Sequence, residues 1–317
     1  MKLQKALLGL VGLFKFCTCA AAHSKTVVWR LRTACATGLL PLLLLLALPA
    51  VMQAQFTYTT NNGGITITGY TGPGGAVAIP STTNGLPVTG VGDLAFVDCT
   101  NVTSVTAPNS ITNVGTCAFW GCTRLAHATI GNGLISIGDF AFADCFSLAG
   151  ITIPSNVTSI GFAAFDFCTS LTNVTIPSSV ASIGGDAFYG CASLTSVFFK
   201  GNAPNASNAT VFAEADNATV YYLPGTTNWG PAFGGAPALL WNPQVEANPA
   251  SFGVRTNRFG FNITGTTNIP IVVEACANLA NASWTSLQTC TLTNGSIYFS
   301  DSQWTNYPAR SSRIRSP

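Results

Sequence analysis

LTNVTIPSSVASIGGDAFYGC, residues 171–191, decides the fold, because its pattern also runs through residues 148–168 (LAGITIPSNVTSIGFAAFDFC), 125–145 (LAHATIGNGLISIGDFAFADC) and 102–122 (VTSVTAPNSITNVGTCAFWGC). Each copy starts 23 residues after the one before, as in 171 − 148 = 23. Three columns keep the step: Cys99, Cys122, Cys145, Cys168 and Cys191; Phe96, Phe119, Phe142, Phe165 and Phe188; Gly92, Gly115, Gly138, Gly161 and Gly184. A fixed period of this length means stacked supersecondary units. Within one copy Leu171, Val174, Ile176, Val180, Ile183, Ala187, Phe188 and Cys191 are apolar or small. Their alternation in LxxVxIP and VxxIG predicts two short strands per turn that face one interior. Burying eight such side chains contributes about 10–20 kcal/mol, whereas ordering about 23 residues costs at least about 1 kcal/mol each. One turn cannot stand alone, so the fold must be a mainly β solenoid with a cap at each end.

Outward from the array, AVAIP and STTNGLPVTGVG form a half-repeat, preceded by FTYTT and ITITGY around Asn62-Gly63-Gly64. Those strands predict a β-hairpin cap, so residues 55–90 are expected to cap the repeats at 91–200. After Lys200 the repeat pattern stops, and the turn-rich segment 201–242 is expected to be the second cap, with a strand at Thr219 to Leu223. At Trp241-Asn242-Pro243 the composition changes. RFGFNIT, IPIVVEA, SWTSLQTCTL and GSIYFSD then alternate apolar and polar residues, which predicts a separate five- or six-stranded antiparallel sandwich over 243–317.

Residues 1–54 read as a leader. LLPLLLLLALPAVM at 39–52 follows a basic stretch and precedes Gln-Ala-Gln, the arrangement of a secretory signal peptide; it is short of the ~20 apolar residues of a membrane span. Six of the 13 basic residues lie in this leader and none of the 11 acids does, so cleavage after Ala54 leaves 7 − 11 = −4 rather than the whole-chain +2. The remaining chain has no Lys or Arg cluster, which excludes a phosphate-binding nucleic-acid surface. The expectation is a secreted or cell-surface monomer with no stable membrane span after cleavage.

With its IP, SIG and AFxxC elements over residues 77–200, the chain resembles the BspA-like leucine-rich repeat family of secreted and surface proteins. Gly131 and Lys200 stand where the family has proline. The resemblance implies a curved leucine-rich-repeat solenoid and an association with adhesion and protein binding.

The candidate chemistry is sparse. The cysteine ladder could form disulfides or hold zinc. Equivalent residues in stacked strands lie about 4.8 Å apart, beyond the ~3.8 Å Cβ separation of a disulfide, and a linear column cannot converge on a tetrahedral metal. The ladder is therefore expected to be buried small hydrophobes; Cys276 and Cys290 could pair or stay free. His127 is the one histidine after the leader, and its column of Ser104, Gly150, Asn173 and Ser196 supplies no carboxylate to orient it, so catalysis is not expected. Asp93, Asp98, Asp139 and Asp144 sit in turns, where Asp favours backbone hydrogen bonds; calcium is the alternative. Thr106, Thr129, Thr152 and Thr175 form an outward hydroxyl column ending at Phe198. Strand propensity and Thr–Thr ladder contacts explain such a column, and so does a neutral platform for a protein or glycan. The candidate ligand face is Thr106, His127, Thr129, Thr152, Asn173, Thr175 and Ser196, with no catalytic residue, metal or cofactor expected. The aromatics Phe198, Phe199, Phe212, Tyr221, Tyr222, Trp229, Phe233 and Trp241 are expected to close the solenoid core, a sugar-stacking patch being the other reading.

Overall fold

The computed structural model describes residues 55–206, 210–247, 252–255, 258–307 and 309–317. The leader expected at 1–54 lies outside them.

Each turn has three sides. The first strands stack as two parallel sheets, Gly75–Ala78 through Val102–Ala107 and His127–Ile130 to Gly150–Ile151, and Asn173–Ile176 through Ser196–Phe199 and Thr219–Tyr222 to Ala236–Leu240. Their register follows the sequence step, as in Ser104 against His127 against Gly150. The second strands, from Gly64–Tyr70 and Leu86–Val91 to Asn205–Ala206, make one parallel sheet whose edge is closed by the antiparallel strand Phe56–Asn61. Asn62 (φ 47°) and Gly63 (φ 79°) form the left-handed two-residue turn of that hairpin.

The third side carries no side-chain alternation, yet it is a hydrogen-bonded ladder. The N–H groups of Leu94, Phe96 and Asp98 donate to the carbonyls of Thr116, Ala118 and Trp120 at 2.7–2.9 Å. Cys117, Phe119 and Gly121 repeat this toward Asp139, Ala141 and Ala143. Such close stacking explains the glycine column: a Cβ on Gly138 or Gly161 would stand 2.7 or 2.5 Å from the backbone of the preceding turn.

Inside, the phenylalanines form one continuous stack. Phe96, Phe119, Phe142, Phe165 and Phe188 follow one another at ring separations of 4.8–5.4 Å. Tyr70 covers the first of them at 5.2 Å. The cysteines run beside this stack. Cys122, Cys145, Cys168 and Cys191 are buried and unbridged, and each Sγ donates to the carbonyl of the phenylalanine 26 residues earlier at 3.1–3.2 Å. These four are buried hydrophobes as expected, with a weak donor that also ties neighbouring turns together, whereas Cys99, the first of the ladder, is only half-buried. Burial pushes the Cys191 thiol up to about 12 and that of Cys168 well above its ordinary range. Cys276 and Cys290 are also free.

Two expectations need correction. The stacking does not stop at Lys200: Thr219–Tyr222 continues the first-strand sheet, Phe212 stacks on Phe188 at 5.4 Å, and buried Ala215 takes the place of the cysteine. Phe199, Tyr222, Trp229 and Phe233 then close the core. The C-terminal region shares part of its apolar core with the solenoid. Among the described residues it has seven strands in two antiparallel sheets, Gln244–Glu246, Gly253–Arg255, Arg258–Thr264 and Ser296–Asp301 in one, Pro270–Cys276, Thr285–Thr291 and Ser311–Arg315 in the other. The core between them, with Phe261, Ile263, Ile271, Val273 and Phe299, is continuous with Phe198 and Tyr221 of the solenoid. These two, with Trp241, turn outward into the C-terminal module instead of closing the solenoid. Tyr221 Oη donates to the Asn268 carbonyl at 3.3 Å and Trp241 Nε1 to that of Pro270 at 2.8 Å. On the central strand of the second sheet, buried Glu274 is bound by Arg315 and Arg313, which hold its carboxyl below the usual range.

Candidate functional site

The first strands project alternate side chains away from the core. Thr106, His127, Thr129, Thr152 and Asn173 are exposed there, and Thr175 and Ser196 are half-buried. Register places Ser104 beside His127, Thr106 beside Thr129, and Asn173 beside Ser196, about 4.8 Å apart as parallel strands dictate. All seven residues therefore lie on the outward side of the first strands.

Their hydroxyls are not engaged. Among the described residues, no hydrogen bond involves the side chains of Thr106, His127, Thr129, Thr152 or Thr175, so the expected Thr–Thr ladder contacts are not hydrogen bonds. Threonines elsewhere differ: Thr112 Oγ1 donates to the Thr89 carbonyl at 3.1 Å and Thr158 Oγ1 to that of Ile135 at 3.2 Å. The column does not end idly. Thr175 pairs with Phe198, Phe198 with Tyr221 and Tyr221 with Leu239, so polar residues give way to the apolar rank that seats the C-terminal module. The signal for that seat was legible as the replacement of threonine by Phe198.

A second surface lies on the third side. Asp93 and Asp139 accept backbone N–H groups of Thr116 and Phe162 through Oδ1, both at 2.7 Å, so they serve the stack. Trp120 Nε1 donates to Asp144 at 2.9 Å. Among the described residues no three His, Cys, Asp or Glu side chains converge as metal ligands would. Asp166 is the misfit: its Oδ1 is buried without a partner. Burial, then the charges of Asp144 and Asp186, push its carboxyl up to about 7 from 3.8. The folded state thus holds a proton that the unfolded chain loses near pH 4, so stability falls as pH rises from about 4 to about 7. Asp166→Asn is expected to leave urea stability unchanged near pH 4 and raise it near pH 8. Equal stability of both proteins at pH 8 would refute this origin.

A family model for the BspA type leucine rich repeat region matches residues 89–218 in six copies. A leucine-rich repeat protein of T. pallidum is 35% identical, over 54% of this chain and 85% of that one, with a TM-score of 0.49. The chain belongs to the BspA-type leucine-rich repeat family. Two further solved structures are similar: a leucine-rich repeat protein from Bacteroides ovatus at 27% identity (53% of this chain, 48% of that chain, TM-score 0.46), and a leucine rich cell surface protein from Faecalibacterium prausnitzii at 30% (53% of each, TM-score 0.41). This BspA-type chain spans about half the length of those two. Among curated proteins none matches. The matched range ends at Ala218, beyond Lys200, in keeping with the additional turn.

Proposed function

We propose that this BspA-type protein is a secreted or cell-surface recognition protein that binds a macromolecule through the outward face of its first strands. The unengaged row of Thr106, His127, Thr129, Thr152 and Thr175 carries the reading. A polar side chain that neither packs nor bonds within its own protein offers its hydrogen bonds to a partner at no cost in stability. The family is a repeat scaffold, and stacked repeats present extended binding surfaces. The F. prausnitzii relative is described as a cell surface protein, which supports an extracytoplasmic location. Among the described residues no helix is long and apolar enough to cross a membrane. The face has no catalytic constellation, so the proposal is adhesion rather than turnover. A protein partner is favoured over a glycan, because Tyr222, Trp229 and Phe233, the aromatics that could have stacked on sugar, are spent on closing the solenoid.

The face carries no Lys, Arg, Asp or Glu, so binding is expected to survive a rise from about 50 to about 500 mM salt, since screening acts on charges. A glycan array and pull-down from cell surfaces identify the ligand. Thr129→Arg with Thr152→Arg, both exposed and harmless to the core, is expected to weaken binding at least about tenfold. Unchanged affinity in that variant, or a collapse of wild-type binding with salt, would place the site elsewhere.

A further inference from the structure

The third side of the solenoid combines exposed rings with a single sign of charge. Its segments, 92–99, 115–122, 138–145, 161–168, 184–191 and 210–216, hold eight of the chain's 11 acids and no Lys or Arg. Phe162 and Phe167 are exposed on it, and Phe146 is exposed at its border. Among the described residues the ion pairs lie in the C-terminal module, at Asp301 and Glu274, so none neutralises this side.

The charge is densest where Asp144, Asp166, Asp186 and Glu214 stand on four successive turns. Burial and then the charges of Asp144, Asp186 and Glu214 raise the Asp166 carboxyl, and Glu214 holds the Tyr189 hydroxyl in a hydrogen bond. Beside them Phe167 lies down on the next turn. A Cβ on Gly190 would stand 2.6 Å from its ring, and the ring meets that of Tyr189 edge-on at 5.4 Å. The missing side chain at Gly190 gives the ring its room, and its outer face is left to solvent.

These features specify what can cover the surface. Carboxylates covered without a counter-charge lose their hydration at high cost, so the partner brings positive charge. A guanidinium both stacks on an aromatic face and forks onto a carboxylate, whereas an ammonium is a strongly hydrated point charge. The spacing fits an extended chain. Turns stacked about 4.8 Å apart put the four carboxylates over about 14 Å, and arginines at alternate positions of a five-residue strand span about 13 Å.

We propose that the third side, around Asp144, Asp166, Phe167 and Asp186, binds an extended arginine-rich segment of a partner protein. Guanidinium groups pair with the carboxylates of successive turns, and one of them stacks on the outer face of Phe167. This site is separate from the outward first-strand face, and salt tells the two apart. Binding here is lost as salt rises, whereas the uncharged first-strand face keeps its partner.

The probe is acetyl-Arg-Ala-Arg-Ala-Arg-amide, titrated at low salt into isotopically labelled protein and followed by NMR, beside the same peptide with lysine in place of arginine. Shifts are expected to concentrate at residues 144–146, 166–170 and 186–190. The lysine peptide is expected to bind at least about threefold more weakly, for want of stacking and of the fork. Asp186→Asn with Glu214→Gln removes two charges at constant size, and asparagine tolerates the φ of 57° at position 186. That variant is expected to weaken the arginine peptide at least about tenfold. Phe167→Leu is expected to abolish the preference for arginine while leaving the lysine peptide within about twofold of its wild-type affinity. No shift at about 1 mM peptide, equal affinity of the two peptides for the wild type, unchanged affinity in the double variant, an arginine preference kept by Phe167→Leu, or the same shifts with calcium chloride alone would each overturn the proposal.

Discussion

Phe142→Ala is expected to lower the unfolding free energy by about 3–5 kcal/mol, the cost of deleting a large buried aromatic and leaving its cavity. Phe142 is fully buried. Its ring lies 5.0 Å from Phe119 and 5.4 Å from Phe165, nearly parallel to both, so one truncation also removes two aromatic pairs. Backbone ladders on three sides prevent the turns from closing over the gap. A solenoid is a chain of nearest-neighbour interfaces, and weakening a central one uncouples the flanks. Urea unfolding should accordingly broaden toward two steps as well as shift. Phe162→Ala, on an exposed ring of the neighbouring turn, should change stability by less than about 0.5 kcal/mol. A loss below about 1 kcal/mol in Phe142→Ala would mean that the aromatic column is not what binds the turns.

The parts of this fold that were legible are those where one residue type repeats. Phe, Cys and Gly each hold one place per turn, since each place has one steric demand: a ring to stack, a small thiol beside a carbonyl, and no Cβ against the preceding backbone. The turn after Lys200 is masked in the sequence because Phe212 comes 24 residues after Phe188 and Ala215 replaces the cysteine, while the space they fill is unchanged. The third-side ladder could not be read at all. It is a backbone structure, and it tolerates Leu94, Phe140 and Phe167 in the left-handed region at φ 58°, 54° and 51°, where composition points toward glycine. The face residues were legible as a column, but not their lack of hydrogen bonds. Side-chain spacing says where a hydroxyl points; the neighbouring carbonyls decide whether it is used.

Phe198→Asp is expected to cost at least about 3 kcal/mol and to release the C-terminal module without unfolding the solenoid. A change in composition at Pro243 suggests two separate units, yet Phe198 and Tyr221 are buried with Phe261, Ile263 and Phe299 in one cluster. An aspartate at the centre of that cluster loses the ring's burial and places a carboxylate in apolar surroundings. The solenoid interior is untouched, because Phe198 points outward from its strand while Val197 and Phe199 point inward. The wild type should unfold in one transition and resist protease until it does. In Phe198→Asp two transitions are expected, the lower from the module, with early cleavage between Trp241 and Phe259. Tyr221→Phe, which removes only the hydroxyl bonded to the Asn268 carbonyl, should cost about 1 kcal/mol and keep a single transition. If Phe198→Asp unfolds like the wild type, the shared cluster does not couple the two parts. If instead the whole chain melts together at a much lower temperature, the module is a structural end cap for the repeats, and the hydroxyl face at Thr175 and Ser196 depends on it.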